Sequence, residues 1–572
     1  MARSVISLFA PILVVISLAC APVQEIQADE KQPTGKRKLA NKSASASGKQ
    51  ENPLAGRQLA AKSDSLEKEA GAFVVFEDKN LEKGIRQIIG KPEGPIKTED
   101  VRHVRELNFG YMIPDISGGY SGKKGKVLAG NVSSLEGLQY FENLAFLAFK
   151  AEHVESIDLS PLRNLTNLSK LYLPECEIDD IEPLRNLNKL RVLSLGDNKI
   201  KDISPLRECI LLNELYLEGN EIENFEIVKA FKNLRKLNIS NNDVKDINAL
   251  SDLAVVEELS IRDNKIDDIS PLKTLHILKE LSLEETMVSD LSSIKELHLL
   301  RYLNLGNTGV SDLSPLRDHK KLNSLDLRDT GVSDLSPLRE LKQLSSLGLQ
   351  YTGVSDLSPL RELKQLSWLD LKNTGVSDLS PLRDLTQLSS LYISNTGVSD
   401  LSPLRELKQL TILDLDNTGV RDLSQLRDLK QLTNLNLDNT GVSDLSPLRD
   451  LTQLSSLSLN NTALRDLSPL KSLTQLSWLS LKNAGVIDNS SLQHLTQLSS
   501  LNLSNTALRD LSPLKSLKKL QRLSIARTAV RDLSPLKELS QLNRLDVRGT
   551  SLNEKSLSFL ETLRESGCDV LF

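Results

Sequence analysis

Aromatic residues make up only 4% of this 572-residue chain, which has 2 Trp, 4 Cys, 3 Met and 6 His. Four cysteines are too few for a disulfide framework. The histidines (His103, His153, His276, His298, His319 and His494) show no metal-ligand spacing. A net charge of -5 lacks the basic excess that a nucleic-acid partner requires. No Ser/His/Asp order, phosphate-cradling glycine loop or metal cluster can be placed on one site. The expectation is therefore no enzyme, no catalytic residue, no metal and no cofactor. Long apolar runs are also scarce. The main one, Val5 to Ala19, suits a signal peptide and falls short of the ~20 residues of a membrane-spanning helix.

What the chain has in abundance is repetition. A leucine recurs every 22 residues from Leu168 to Leu542, with Val256 the one substitute. A unit reads L-S-S-L-G-L-Q-Y-T-G-V-S-D-L-S-P-L-R-E-L-K-Q, Leu344 to Gln365. The L-x-x-L-x-L stretch with Asn or Thr three residues on is the signature of a leucine-rich repeat. No such unit can bury its apolar side alone, so neighbours must stack around one core. The expected fold is an α/β leucine-rich repeat solenoid, with a parallel sheet on the concave face and short helical turns on the convex face.

Each position in the unit has a physical task. Leu347 and Leu349 alternate as one buried strand face requires. The ninth residue, Asn198 to Asn264 and then Thr from Thr286, turns inward to satisfy backbone groups left unpaired by the bend. Thr offers one hydroxyl for that task, so the later repeats should have a sparser ladder. Gly309, Gly331, Gly353 and Gly375 suggest a backbone bend at positive φ. In D-L-S-P-L, Ser358 suits a helix cap and Pro359 the first helical position. Arg361 and Glu362 read as a solvated outer face. His319 and Asn489, in slots normally filled by leucine, read as hydrogen-bonded core. Asp416 and Asp438, followed by Asn417 and Asn439, supply too few ligands for calcium. An amide ladder running on through Asn461, Asn483 and Asn505 explains them better. Cys176 and Cys209 fall on inward positions, where small thiols pack well.

Ahead of the repeats, Phe76 to Asp100 reads as an amphipathic helix with Leu81, Ile85, Ile88 and Ile89 as its stripe, stopped by Gly90 and Pro92. Val104 to Phe109 makes a first strand. This cap (N-L-E-x-x-I-R followed by G-K-P-E-G-P-I), joined to D-L-S-P-L repeats, resembles the bacterial internalin family over about residues 72 to 572. The resemblance implies a concave face that binds a host surface protein. The chain differs in an insertion between Gly110 and Asn131, rich in Gly and Lys, and in lacking an L-P-x-T-G motif.

The layout expected is a signal peptide over 1–20, a disordered tether over 21–70 and a cap over 71–143 with its inserted loop 110–131. Repeats fill 144–541, and a last repeat with a C-terminal cap fills 542–572. Ser17-Leu18-Ala19-Cys20 looks like a lipoprotein processing box, with Cys20 the lipidation site; ordinary cleavage after Ala19 is the alternative. An exported monomer follows, anchored to the outer membrane or cell surface through lipid, or else periplasmic or secreted.

On the concave face, Trp368 and Trp478 share the third repeat position with Tyr302, a position expected to face solvent. Asp370, Tyr392, Ile412, Asp414 and Asp416 cluster near Trp368, with Tyr392 between Asp370 and Asp414. Exposed aromatics amid small polar residues have the composition of a binding hot spot. These eight residues are the candidate partner-binding set, for a protein or a glycan. A rigid envelope spacer is the competing reading. If Cys20 is lipidated, the protein enters the detergent phase on phase partitioning and Cys20→Ala moves it to the aqueous phase; a wild type that stays aqueous removes the anchor.

Overall fold

The structure is a computed structural model that describes residues 73–109, 113–114, 120–121, 132–150, 156–486 and 488–572. The expected signal peptide, Cys20, the tether and most of the 110–131 insertion lie outside these residues. The chain divides into two compact units, 1–198 and 199–572.

The first unit opens on helix α1, Lys79–Ile89. Asp78 caps it by accepting from the Leu81 N–H at 2.7 Å, and Gly90 ends it in the left-handed region at φ 68°. Leu81 and Ile85 are fully buried, whereas Ile88 is exposed, so the apolar stripe is narrower than the sequence suggests. The second Asp78 oxygen accepts from both the N–H and the hydroxyl of Ser133 at 2.7 Å, fixing the helix to the chain beyond the insertion. Gly137, at φ 103°, lies under the Phe76 ring, where a Cβ would come within 2.5 Å of a ring carbon. Short parallel strands at Glu106–Asn108, Phe146–Ala148, Lys170–Tyr172 and Val192–Ser194 pair in that order. Within the insertion, Ile113–Pro114 and Tyr120–Ser121 pair antiparallel.

The second unit continues the pattern from Glu214–Tyr216 to Asp569–Leu571, each strand parallel to the next. Register is set by the period: Leu347 lies beside Leu369, and Leu369 beside Leu391. Leu344, Leu347, Leu349, Val354, Leu357, Leu360 and Leu363 are each at most 1% exposed. Burying one such side chain contributes about 1.5–3 kcal/mol, and most repeats supply a similar set, with exceptions such as His319 and Asn489. At the far end, helix α2 (Glu554–Glu565), capped by Asn553, closes the core with Leu560.

The ninth-position ladder takes the form its chemistry dictates. Asn198 accepts from the N–H groups of Cys176 and Ile178 at 3.0 and 2.9 Å and donates to the carbonyls of Leu173, Leu195 and Gly196. It therefore bonds its own repeat and the one before. Thr352 gives one bond, to the Leu349 carbonyl at 2.6 Å in its own repeat.

Two local expectations are corrected. The positive φ falls not on the glycines but two residues earlier, at Asn307, Asp329, Tyr351 and Asn373 (φ 50–60°). Asn and Asp tolerate this region. The glycine answers crowding instead, since a Cβ on Gly309 would sit 3.2 Å from the Ser289 Cβ. Ser358 opens a 3-10 turn (Ser358–Leu360) as its first residue and does not cap it. Asp356 does the local bracing by accepting from the Ser358 N–H and hydroxyl at 2.8 and 2.7 Å.

His319 is fully buried with its Nε2 3.0 Å from the Ile294 carbonyl, and Asn489 donates to the Asp510 carbonyl at 2.8 Å. Cys176, Cys209 and Cys568 are buried and unbridged. The repeat phase is tested by Leu347→Asp, which places a charge in a dry core and lowers stability by several kcal/mol. Ser346→Asp, on the opposite strand face, is nearly silent in thermal melts. Equal effects would mean the phase is wrong.

Candidate functional site

Third, fifth and seventh repeat positions line the solvent side of the strands in the second unit. Register places Trp368 beside Ser390 and Ser390 beside Ile412, while Tyr392 lies between Asp370 and Asp414. The Trp368 and Tyr392 ring centroids are 6.0 Å apart, tilted by 54°. The Lys372 ammonium lies 4.6 Å from the Tyr392 ring centre and 3.6 Å from an Asp414 oxygen. Asp414 accepts from the Asp416 N–H at 3.2 Å, and Asp416 from the Asn439 amide at 2.7 Å. Six predicted residues thus form one patch.

Tyr302 and Trp478 do not join it. At ~4.8 Å per strand, Tyr302 lies three strands away on one side and Trp478 five on the other. Burial has pushed the Tyr302 phenol up to about 12, reinforced by the negative charge of Asp326 and Glu284. Trp478 lies beside Ser456 and Ser500.

The expected exposure fails at two positions. Tyr392 is 8% exposed and Asp370 is 7%. Both point to the solvent side, but Trp368 and Lys372 pack across Tyr392, and Asp370 sits in the shelter of the same group. Burial drives the Asp370 carboxyl up to about 6, against the pull of the Lys372 charge and of the Lys372 N–H that it accepts at 3.0 Å. Asp416 is also raised, first by burial and then by Asp414 and Asp438.

Sequence reasoning missed Lys372, the charge that pulls the patch together. It also missed Asp326, Gly348 and Gln350 on the preceding strands. The signal was available in the seventh column, read across strands beside the fifth.

The amide ladder runs from Asn439 onward, whereas at the Asn417 step Asn439 donates to Asp416 instead. Asn461 donates to Asn439, Asn483 to Asn461 and Asn505 to Asn483, at 2.5 to 2.7 Å. Among the described residues, no group of His, Cys, Asp and Glu side chains could hold a metal ion. No helix among them is long and apolar enough to cross a membrane.

A two-copy leucine-rich repeat model matches residues 188–230, 232–274, 364–406 and 386–428. The chain is similar to the crystal structure of an internalin (inlF) of Listeria monocytogenes, at 25% identity, covering 78% of this chain and 95% of that one with a TM-score of 0.40. It is also similar to a TDR receptor, at 17% identity, covering 80% and 82% with a TM-score of 0.56. A third similarity is to the Arabidopsis receptor kinase HAESA ectodomain, solved with a peptide hormone ligand. There the identity is 20%, the coverage 65% and 72%, and the TM-score 0.50. No curated protein matches the sequence. The chain is a leucine-rich repeat protein, and its repeats are similar to those of internalins.

Because Asp370 has a folded pKa above its unfolded value, the native state holds the proton longer. Stability contributed by that proton is present below about pH 4 and is lost as pH rises to about 6. Asp370→Asn removes the loss, so the variant is more stable at pH 7 by about 1–3 kcal/mol and matches the wild type at pH 3.5. Denaturant melts at both pH values measure this, and a variant that is less stable at pH 7 contradicts the burial cause.

Proposed function

We propose that this is an exported leucine-rich repeat protein that binds a protein partner through the strand face around Trp368 and Tyr392. The layout read from the sequence belongs to the same proposal, with a signal peptide ending at Cys20, a lipid on Cys20 and a tether to residue 70 before the cap and repeats. The observation that carries the binding role is the clustering of Trp368, Tyr392, Lys372, Asp370 and Asp414 on a face otherwise composed largely of Ser and Asn. A half-buried tryptophan rimmed by charges has the anatomy of an interface centre, where a few aromatic contacts supply most of the binding energy. Asp370 adds a second indication. A carboxylate held above its usual pKa lowers stability at neutral pH, so the fold alone gives no reason for it.

The peptide hormone bound by HAESA illustrates what a leucine-rich repeat ectodomain takes as ligand. The resemblance of the cap and repeats to internalins points to a larger protein partner in the same role. Aromatic and carboxylate side chains together also suit a glycan, and the charges separate the two. A basic protein ligand loses on-rate and salt dependence when Asp414 is reversed, whereas a neutral glycan responds little to ionic strength.

The test is capture from envelope and host extracts by the full chain and by its Trp368→Ala variant. Trp368 is only half-buried and its removal leaves the fold intact, while affinity falls by about 2 kcal/mol or more. A captured partner whose affinity ignores Trp368→Ala and Asp414→Lys places the site elsewhere. Absence of any saturable partner favours the rigid spacer.

A further inference from the structure

Trp478 lies outside the patch around Trp368, and its surroundings differ. The third-position column reads Ser456, Trp478, Ser500, Arg522 and Arg544 on successive strands. The tryptophan is half-buried, and among the described residues no ring or cation packs on its indole. The sign of the strand face also changes here. Between Ser324 and Asp438 the third, fifth and seventh positions hold Asp326, Asp370, Asp414, Asp416 and Asp438 against Arg328 and Lys372. Between Ser456 and Arg548 they hold Lys482, Arg522, Arg544 and Arg548 against Asp546 alone. Arg548 occupies both oxygens of that carboxylate, at 3.0 and 2.8 Å. Arg544 has a 3.5 Å pair with Asp569 in which both side chains are more than half exposed, so the pair is weak. Arg522 and Lys482 are exposed and have no counter-charge among the described residues. Arg522 stands directly beside Arg544, where like charges on neighbouring strands destabilise a sheet. On the strand between Trp478 and Arg522, the Asn502 oxygen accepts from the Ser504 N–H at 3.0 Å, and its amide nitrogen has no acceptor among the described residues. The stability of the fold explains neither the adjacent arginines nor the open indole.

We infer that the strand face from Trp478 to Arg544 is a second binding site, for an acidic polysaccharide carrying carboxylate or sulfate groups. It stands apart from the Trp368 patch and does not depend on it. A pyranose ring presents C–H bonds on one face and hydroxyls around its edge. The indole face takes the C–H face, which its ring quadrupole attracts. Asn502 and Ser500 bond the hydroxyls, and Arg522 and Arg544 grip the anionic groups as planar forks. Trp478 and Arg522 are two strand steps of ~4.8 Å apart, a span that two linked sugar rings cover. An acidic protein segment would use the arginines and leave the indole idle. A neutral glycan would use the indole and leave the arginines unpaired.

The probes are decasaccharides, one of galacturonate, which carries carboxylates, and one derived from heparin, which carries sulfates as well. Neutral maltodecaose is the control for charge, and a decamer of glutamate represents an acidic protein segment. Calorimetry of the full chain measures each. Expected is saturable binding of at least one acidic decasaccharide, with maltodecaose and the glutamate decamer weaker by about tenfold or more. Trp478→Ala lowers affinity for the bound decasaccharide about tenfold, the loss of an aromatic anchor. Arg522→Gln lowers it about fivefold and flattens its dependence on salt, because a screened charge has been removed. Both side chains lie on the solvent side of the strands, so the melting temperatures of the two variants stay close to that of the parent. The inference is overturned if neither acidic decasaccharide saturates, or if either variant binds as the parent does. Equal binding of the glutamate decamer also overturns it and makes the face a site for an acidic protein segment. Equal binding of maltodecaose removes the role of the arginines and overturns it likewise.

Discussion

Everything in this protein depends on one leucine column being buried by the next. A single 22-residue unit leaves its apolar side wet, and only the neighbouring repeat can cover it. Within the second unit, backbone hydrogen bonds reinforce the same step: the Leu349 N–H donates to the Asp370 carbonyl at 2.8 Å, and Tyr351 to Lys372 at 2.9 Å. Both forces act at the same spacing, so side-chain burial and strand register cannot be satisfied separately. The consequence for function is direct. With the inward positions committed to the core, the third, fifth and seventh positions are released to vary, and each substitution there lands at a defined place beside its counterpart in the adjacent repeat.

That division explains where the sequence could be read and where it could not. Leu347, Leu349 and the ninth-position Asn and Thr repeat the same environment many times, so a residue's type reveals its task. Asn198 makes five hydrogen bonds where Thr352 makes one, and the difference follows from the amide and the hydroxyl themselves. The positive φ belongs to the column of Asn and Asp two residues before the glycine, because their short polar side chains tolerate that region. Asp356 bracing Ser358 was likewise present in every D-L-S, as a turn made by a side chain two residues away.

The patch was only half legible. Period and register put Tyr392 between Asp370 and Asp414. Burial of Tyr392 and Asp370 is instead a lateral property, set by which side chains on neighbouring strands lean over them. Lys372 reaches both the Tyr392 ring and Asp414, a choice of rotamer that no single column specifies. Alternation along a strand tells which way a side chain points, and what stands beside it decides whether water reaches it.

The proposed binding takes place on the strand face of the second unit and not on its 3-10 turns. Hydroxyl-radical footprinting of the complex with a captured partner addresses it most directly. Protection of Trp368 is expected on binding, with Leu557 and the turns around Arg361 unchanged. Protection confined to the turns, with Trp368 as reactive as in the free protein, would contradict it.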